Sequence, residues 1–128
     1  MKTITIETST HDQFINITQR VQEAVRKLAL TNGVVTVFTP HTTCAITINE
    51  NEDPDVVTDM IQEMDKIVSW AEPFYRHGGG NSASHIKTSL IGSSVQIIVD
   101  GGNIQLGKWQ GLFLCEFDGP RTRQVWVN

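Results

Sequence analysis

Residues 34–49 have the sequence VVTVFTPHTTCAITIN, in which two β-rich runs, Val34 to Thr39 and Cys44 to Asn49, flank a short polar segment. β-Branched and aromatic residues favour strands, and proline with threonines between two such runs favours a turn. The pattern therefore predicts two strands joined by a short turn at 40–43. Adjacent strands with no intervening helix favour an α+β fold over a doubly wound parallel sheet.

Three helices are predicted from apolar residues at helical spacing. The first covers 17–28, with Asn16 as its cap and Gly33 marking its end. The second starts at Asp53-Pro54, a capping carboxylate followed by a first-turn proline, and ends near Trp70. We expect one apolar face of this second helix to be buried: Val57, Met60, Ile61, Met64, Ile67 and Val68. A short third helix is predicted from Ser82 to about Ile91, after an exposed loop over 71–81.

Further strands are predicted at residues 2–7, where Thr and Ile alternate, and near 94–99, 108–117 and 122–127. The last two runs are separated by Asp118-Gly119-Pro120, which predicts an antiparallel hairpin. The fold class is thus a layered α+β domain, with mostly antiparallel sheets, two main helices and one short helix. We expect a single domain over 1–128.

Composition excludes some classes of partner. Ten Lys and Arg against fourteen Asp and Glu give a formal net charge of −4, without the basic surface that nucleic-acid binding requires. The chain has no apolar run of about 18 residues and no signal-peptide pattern, so no membrane contact and a cytoplasmic location are expected. Cys44 and Cys115 form no CxxC pair, and we expect both to be buried free thiols.

Three histidines, His41, His77 and His85, fall in predicted loops or at the ends of elements, where sites usually collect. Their spacing matches no zinc signature, so a metal site would have to be assembled by folding. Under that hypothesis they bind a divalent metal, zinc or magnesium, with an open position for substrate or water. The alternative is that each is a hydrogen-bonded loop residue.

Carboxylates crowd the start of the second helix: Glu50, Glu52, Asp53 and Asp55. The helix dipole alone can explain them. The functional alternative is that the predicted 34–49 hairpin brings Glu50 close to the loop of His41 and into a shared pocket.

Two other features suggest anion binding. The segment 78–82, Gly-Gly-Gly-Asn-Ser, leads into the third helix and could hold phosphate or act as a hinge. Arg121 and Arg123 are two apart on a predicted strand, so they could clamp an anion from one face or simply charge an edge strand. Trp109 and Trp126 are expected in the core.

Several stretches together resemble the YjbQ family, also called the secondary thiamine-phosphate synthase family. The resemblance covers nearly the whole chain, and its final stretch is highly specific. The matching stretches are Pro40–Thr43, Asn49–Val56, His77 with Asn81, His85–Lys87, Leu106–Gly111 and Glu116–Arg121.

The resemblance implies a small α+β homotrimer with a site near a subunit boundary and a weak thiamine-phosphate synthase activity on a small phosphorylated molecule. The implied pocket positions are His41, Thr43, Glu50, Asp53, His77, Asn81, His85, Trp109, Gln110, Glu116, Asp118, Arg121 and Arg123. Of these, Glu50, Asp118 and Arg121 are the expected catalytic residues and His41, His77 and His85 the expected metal ligands. The expected substrate-binding residues are Thr43, Asn81, Trp109, Gln110, Glu116 and Arg123.

The family pattern also has alanine at position 44, which argues against Cys44 as a nucleophile. Two other functions remain open on the same residues. One is a trimeric module that binds a metal or an anionic metabolite without turnover, and the other is a metal-dependent hydrolase.

Overall fold

The structure, a computed structural model, describes residues 1–128 and contains three α-helices and eight β-strands. The helices are α1 (Thr18–Leu28), α2 (Pro54–Ile67) and α3 (Ser82–Ile91). The strands are β1 (Lys2–Glu7), β2 (Gln13–Asn16), β3 (Gly33–Phe38), β4 (Cys44–Glu50), β5 (Ser94–Asp100), β6 (Asn103–Ile104), β7 (Gln110–Glu116) and β8 (Thr122–Val127).

All strand pairs are antiparallel and form two sheets. The larger sheet has the order β1-β8-β3-β5-β6, and the smaller sheet has the order β2-β7-β4. The predicted layered α+β class is therefore confirmed. The short strands β2 and β6 were not predicted from the sequence.

Both predicted hairpins are wrong. β3 pairs with β5 and β8, whereas β4 pairs with β7 in the other sheet, so the segment after β3 carries the chain between sheets. β7 and β8 are separated in the same way. The Asp118-Gly119-Pro120 turn bonds to the N-terminal segment instead, since Gly119 N–H donates to the carbonyl of His11 at 3.0 Å. A local turn signal does not specify which distant strand will pair.

The main core lies between the two sheets and α1. It contains Ile4, Ile6, Ile17, Val21, Ala24, Val25, Val35, Val37, Cys44, Ile46, Ile97, Val99, Leu112, Leu114, Val125 and Val127. α1 begins one residue later than predicted, and its N-cap position is Ile17 rather than Asn16. Asn16 still bonds to the first turn, because its Oδ1 accepts from Thr18 N–H at 3.0 Å. The helix ends at Leu28 with Ala29 in the left-handed region (φ 56°), and Gly33 opens β3 rather than ending α1.

Alternate residues of β4 and β7 face the other side of the smaller sheet, as the period of two requires. There Ala45, Phe113, Cys115 and Phe117 form a second buried cluster. Helix α3 contacts β4, and its buried side chains are Ala83, Ser84, Lys87 and Thr88. Both cysteines are free and buried, as predicted.

Helix α2 lies on the surface. Its predicted cap is confirmed, because the Asp53 carboxylate accepts from Asp55 N–H at 2.9 Å. The predicted buried face is confirmed in part: Val68 is buried and Val57, Met60, Ile61 and Met64 are partly buried, whereas Ile67 is 62% exposed. Val57 packs against the second buried cluster, so the apolar face of α2 lies toward the protein but is only partly covered. None of the three helices combines the length and the apolar character needed to cross a membrane.

Candidate functional site

A buried ion pair lies where β4 begins and β7 ends, since Cys44 pairs with Glu116 in the register. The Glu116 carboxylate accepts from Arg123 Nε at 2.9 and 3.1 Å, and both side chains are almost fully buried. Thr8 Oγ1 also donates to Glu116 at 2.8 Å, and Arg123 NH2 donates to Thr43 Oγ1 at 2.7 Å. Burial, the largest single effect, lowers the pKa of Arg123, but the hydrogen bond to Glu116 and the nearby negative charges together outweigh it, so the pKa is raised. The guanidinium of Arg123 is therefore kept in its charged form.

The same carboxylate positions Asp118. Glu116 Oε2 accepts from the backbone N–H groups of Phe117 and Asp118 at 3.1 and 3.2 Å. Asp118 in turn accepts from Asn81 Nδ2 at 2.8 Å and pairs with Arg121 NH2 at 3.1 Å. These contacts join the end of β7 to the start of α3 and leave the Arg121 side chain 47% exposed. Arg121 is thus the accessible guanidinium of this end of the sheet.

Arg121 and Arg123 do not form the expected joint clamp. Arg121 precedes β8 and is exposed, whereas Arg123 is within β8 and turned into the buried Glu116 network. The prediction assumed that both belonged to one strand face. Glu116, Arg123 and Thr43 bond to one another in the interior. Their role is therefore to hold the surface residues of the site in position.

His85, on α3, stands between the other two predicted histidines. Its ring meets that of His77 edge to face, with 5.2 Å between centroids. His85 and His77 line an apolar cleft of about 480 Å³ together with Phe74, Tyr75, Arg76, Ser82 and Ile86. On its other side His85 shares a polar cleft of about 470 Å³ with His41, Thr42, Thr88, Ser89, Gly92 and Ser93.

His41 is held by the backbone of β8. Its Nε2 accepts from Gln124 N–H at 2.9 Å. Burial, followed by the positive charge of Arg123, lowers the pKa of His41. The ring is therefore neutral at pH 7, with Nδ1 carrying its proton.

The rings of His77 and His85 are neighbours, but the three predicted histidines do not form a common metal site within one chain. No group of three or more His, Cys, Asp or Glu side chains within the chain is arranged to hold an ion. A Cβ built at Gly79 would lie 2.8 Å from His77 Nε2 and 3.1 Å from Asn81 Oδ1, and that Asn81 oxygen is buried without a hydrogen-bond partner. His77 Nε2 and the unpaired Asn81 Oδ1 therefore both lie close to Gly79, beside the ring of His85.

The remaining predicted residues lie at the opposite end of the smaller sheet. Glu50 pairs with Gln110 in the register, six residues along β4 from Cys44, which corresponds to about 20 Å. The Glu50 carboxylate accepts from the N–H groups of Glu52 and Asp53, and the side chain of Gln110 accepts from Gly107 N–H. Because no 34–49 hairpin forms, one chain does not bring Glu50 to His41.

The two tryptophans differ from their predicted core positions. Trp109 is 50% exposed, with Lys108 Nζ 4.7 Å from its ring centroid, so its core assignment is wrong. Trp126 is half-buried against Phe38, at 5.6 Å between centroids.

One charged cluster was missed from the sequence. Lys87 Nζ donates to Asp12 Oδ2 at 3.0 Å and to Asp65 Oδ1 at 2.5 Å, with its side chain 3% exposed. His11 contacts Asp12 through Nδ1, and its Nε2 lies 3.7 Å from Asp118 Oδ1. His11, Asp12, Asp65 and Lys87 line a cleft of about 540 Å³ with Ser69 and Trp70. No local pattern indicates this cluster, because Lys87 is recognised as buried only once the packed face of α3 is known.

Comparison with known proteins gives consistent matches along the chain. A family model described as "UPF0047 protein YjbQ-like" matches residues 2–128. UPF0047 protein YugU of Bacillus subtilis is 44% identical over 128 residues, covering 100% of this chain and 97% of that protein. UPF0047 protein MJ1081 of Methanocaldococcus jannaschii is 40% identical, covering 96% of this chain and 88% of that protein.

Two solved structures share the fold over nearly their whole length. A YjbQ/UPF0047 family protein from Clostridium acetobutylicum superimposes with a TM-score of 0.96 at 48% identity, covering 100% of this chain and 98% of that one. A YbjQ-like protein of Sulfolobus solfataricus gives a TM-score of 0.93 at 27% identity, with coverage of 98% and 92%. Because the family model matches residues 2–128 and the relatives from Bacillus subtilis and Methanocaldococcus jannaschii are at least 40% identical over nearly the whole chain, this chain belongs to the UPF0047 (YjbQ-like) family.

Proposed function

We propose that the protein is a small-molecule transferase of the thiamine-phosphate synthase type. It would join hydroxymethylpyrimidine diphosphate to a thiazole phosphate and release pyrophosphate. The observation that carries the proposal is the position of His85 between an apolar cleft and a polar one. A reaction between two molecules needs two adjoining binding places that hold the reacting atoms together.

The apolar cleft suits a flat heteroaromatic ring. Phe74, Tyr75 and Ile86 supply apolar surface, while Arg76 and His77 supply charge and hydrogen-bond donors at its rim. In the proposed reaction the thiazole nitrogen attacks the pyrimidine methylene carbon as its bond to the diphosphate oxygen breaks. The electron pair leaves with pyrophosphate, and no proton has to move.

Arg121 would neutralise charge on the leaving group. Its guanidinium is half exposed and is oriented by Asp118, which Asn81 holds from α3. Charge stabilisation by such fixed groups is the main requirement when a phosphorylated group departs. Asp118 acts here as a positioning residue, and Glu116 with Arg123 fixes the backbone that carries it.

We also propose a divalent metal, zinc or magnesium, beside His77 and His85. Bound there, a metal would supply positive charge to a diphosphate. Since His41 Nε2 accepts from the backbone, one chain offers two free imidazoles rather than three. Any further ligands would come from Asn81, from the substrate, or from another copy of the chain.

A cytoplasmic homotrimer is part of the proposal. The exposed apolar side chains of Ile67, Phe74, Ile86 and Leu90 favour contact with another copy. Trp109, Gln110 and Glu50 lie at the far end of the smaller sheet. A neighbouring copy that presented this end to the histidines would complete the pocket.

A second candidate is a metabolite-binding module without turnover. It is favoured by the use of Thr43, Glu116 and Arg123 in a buried network, which leaves few free groups for catalysis. Metal-dependent hydrolysis would use the same clefts with water as the attacking group.

The test is a synthase assay with both phosphorylated substrates, on chelated protein and on protein supplied with zinc or magnesium. We expect His85→Ala and Arg121→Gln to abolish product while the folded structure persists. Arg26→Gln, which changes an exposed arginine of α1, serves as the matched control. If the wild-type chain binds both substrates but forms no product, the binding module replaces the transferase. If water alone attacks the diphosphate, the hydrolase replaces it.

A further inference from the structure

His11 lies in the loop between β1 and β2, outside the predicted site positions. Its Nδ1 contacts Asp12 Oδ1, and its Nε2 lies 3.7 Å from Asp118 Oδ1. Its backbone carbonyl accepts at 3.0 Å from the N–H of Gly119, the residue after Asp118. His11 therefore approaches the Asp118 turn through both its ring and its backbone.

The other side of the His11 ring is held by its neighbours. Lys87, whose side chain is 3% exposed, donates from Nζ to Asp12 Oδ2 at 3.0 Å. Trp70 meets the imidazole edge to face, with 4.7 Å between ring centroids. The bond made by one ring nitrogen sets the orientation of the other. Because Asp12 is held by Lys87 and contacts Nδ1, Nε2 is directed toward Asp118.

The two carboxylate oxygens of Asp118 have different partners. His11 faces Oδ1, whereas Oδ2 accepts from Asn81 Nδ2 at 2.8 Å and pairs with Arg121 NH2 at 3.1 Å. The Asp118 carbonyl also accepts from Arg121 Nε at 2.7 Å. The terminal torsion of an aspartate is soft, so a carboxylate held at one oxygen alone can turn. A partner at Oδ1 therefore keeps Oδ2 directed at Arg121.

We propose that His11 is a positioning residue, whose protonated ring holds Oδ1 of Asp118 and thereby fixes Arg121. Both nitrogens of a protonated imidazole are donors, so the ring attracts Asp12 and Asp118 at once. At 3.7 Å the contact with Asp118 is electrostatic rather than a hydrogen bond. The inference rests on the proposed function, in which Arg121 neutralises the leaving pyrophosphate, and it adds a residue that acts on Arg121 through Asp118.

Two amide variants separate the roles of the two ring nitrogens. In His11→Gln the amide nitrogen matches Nε2 in its distance from the backbone, so it can donate to Asp118. In His11→Asn the amide matches Nδ1 and can reach Asp12 but not Asp118. His11→Ala removes both contacts. We expect His11→Gln to behave like wild type, and His11→Asn to behave like His11→Ala.

The first readout is hydrogen exchange, followed by NMR, at Arg121 Nε–H and at the side-chain amide of Asn81, both of which donate to Asp118. Exchange in His11→Asn and His11→Ala should become up to about fivefold faster, the range for a partly exposed ion pair. The second readout is kcat in the synthase assay, which should fall by a similar factor as Arg121 loses its fixed position. Both are measured at about pH 6, where an ordinary histidine is mostly protonated.

Faster exchange in His11→Asn and His11→Ala alone, with a matching loss of kcat, supports the role of His11. Equal exchange in His11→Gln and His11→Asn overturns it. If exchange follows the expected order but wild type forms no product, His11 still positions Asp118 and the proposed function fails. If product forms with the same kcat in all three variants, the proposed function stands and the positioning role fails. Thermal unfolding checks that the variants fold, as expected for a side chain that is 46% exposed.

Discussion

The carboxylate of Glu116 and the guanidinium of Arg123 face each other in the interior, with side chains 0% and 2% exposed. Their bond joins the end of β7 in the smaller sheet to β8 in the larger one. It also holds the Thr43 segment, through which the chain enters β4. The charged pair therefore fixes the junction from which Asp118 and Arg121 reach the surface.

Arg123→Met should strongly destabilise the protein, because it leaves the Glu116 charge buried without its partner. We expect the free energy of unfolding to fall by about 3–5 kcal/mol, as measured by urea denaturation. In the double variant Arg123→Met with Glu116→Gln, the loss should be smaller than the sum of the two single losses. If the loss of unfolding free energy in the double variant equals the sum of the two single losses, the two groups do not stabilise each other.

The two carboxylates that bind Lys87 should contribute unequally. Asp12 is 15% exposed, whereas Asp65, on the surface helix α2, is 61% exposed. An exposed ion pair contributes roughly 0–1 kcal/mol, so Asp65→Asn should lower the unfolding free energy by no more than that. Asp12→Asn should cost about 1–3 kcal/mol, since it weakens the bond of a buried ammonium. Equal losses in urea denaturation would contradict this ordering.

His41 should make stability depend on pH. Its folded-state pKa lies below the ordinary value of 6.5, through burial and then the charge of Arg123. As pH falls through 6.5, the unfolded chain takes up this proton before the folded chain, so stability decreases toward acid and is unaffected by this group at neutral pH and above.

The comparison is urea denaturation of wild type and His41→Gln at about pH 7.5 and about pH 5.5, on either side of the histidine range. Glutamine can still accept from Gln124 N–H, so the variant tests the titration rather than the contact. We expect the free energy of unfolding to fall less from the higher to the lower pH in His41→Gln than in wild type. The other three histidines remain in both proteins, and identical pH dependence in the two would exclude the effect.

Local patterns predicted the elements better than their pairing. The alternation of Lys2–Glu7, the Asp53-Pro54 start of α2 and the bounds of α3 follow from residues that are neighbours in sequence. The pairing of Cys44 with Glu116 does not, because 72 residues separate them and the turns near both carry the chain between sheets. Expecting a hairpin placed Glu50 beside His41, and assigning Arg121 to the same strand as Arg123 placed both arginines on one face. Both juxtapositions failed.

In the candidate site too, contacts between residues near in sequence were predictable, and contacts between distant residues were not. The adjacency of His77 and His85, eight residues apart, depends on one loop and one helix. Lys87 and Thr88 could be recognised only once the buried face of α3 was known, because polar residues in a helix are ordinarily exposed. Lys87 bonds to Asp12, which is distant in sequence, and Thr88 lies in the lining of the polar cleft.

Gly119, between Asp118 and Pro120, should tolerate no side chain. A Cβ at this position would lie 2.3 Å from the backbone oxygen of Thr10 and 2.9 Å from Glu116 Cγ and Thr8 Oγ1. The backbone contact cannot be relieved by rotating a side chain, and the other two atoms belong to the buried network. We expect Gly119→Ala to lower the unfolding free energy by about 3 kcal/mol, the upper range for overpacking.

Gly78→Ala is the matched control, because a Cβ there meets nothing within 4 Å. Its unfolding free energy should stay within about 0.5 kcal/mol of wild type, as for most surface substitutions. A Gly119→Ala protein as stable as Gly78→Ala would show that the turn can move away from Thr10, and that the buried pair does not fix the position of Asp118.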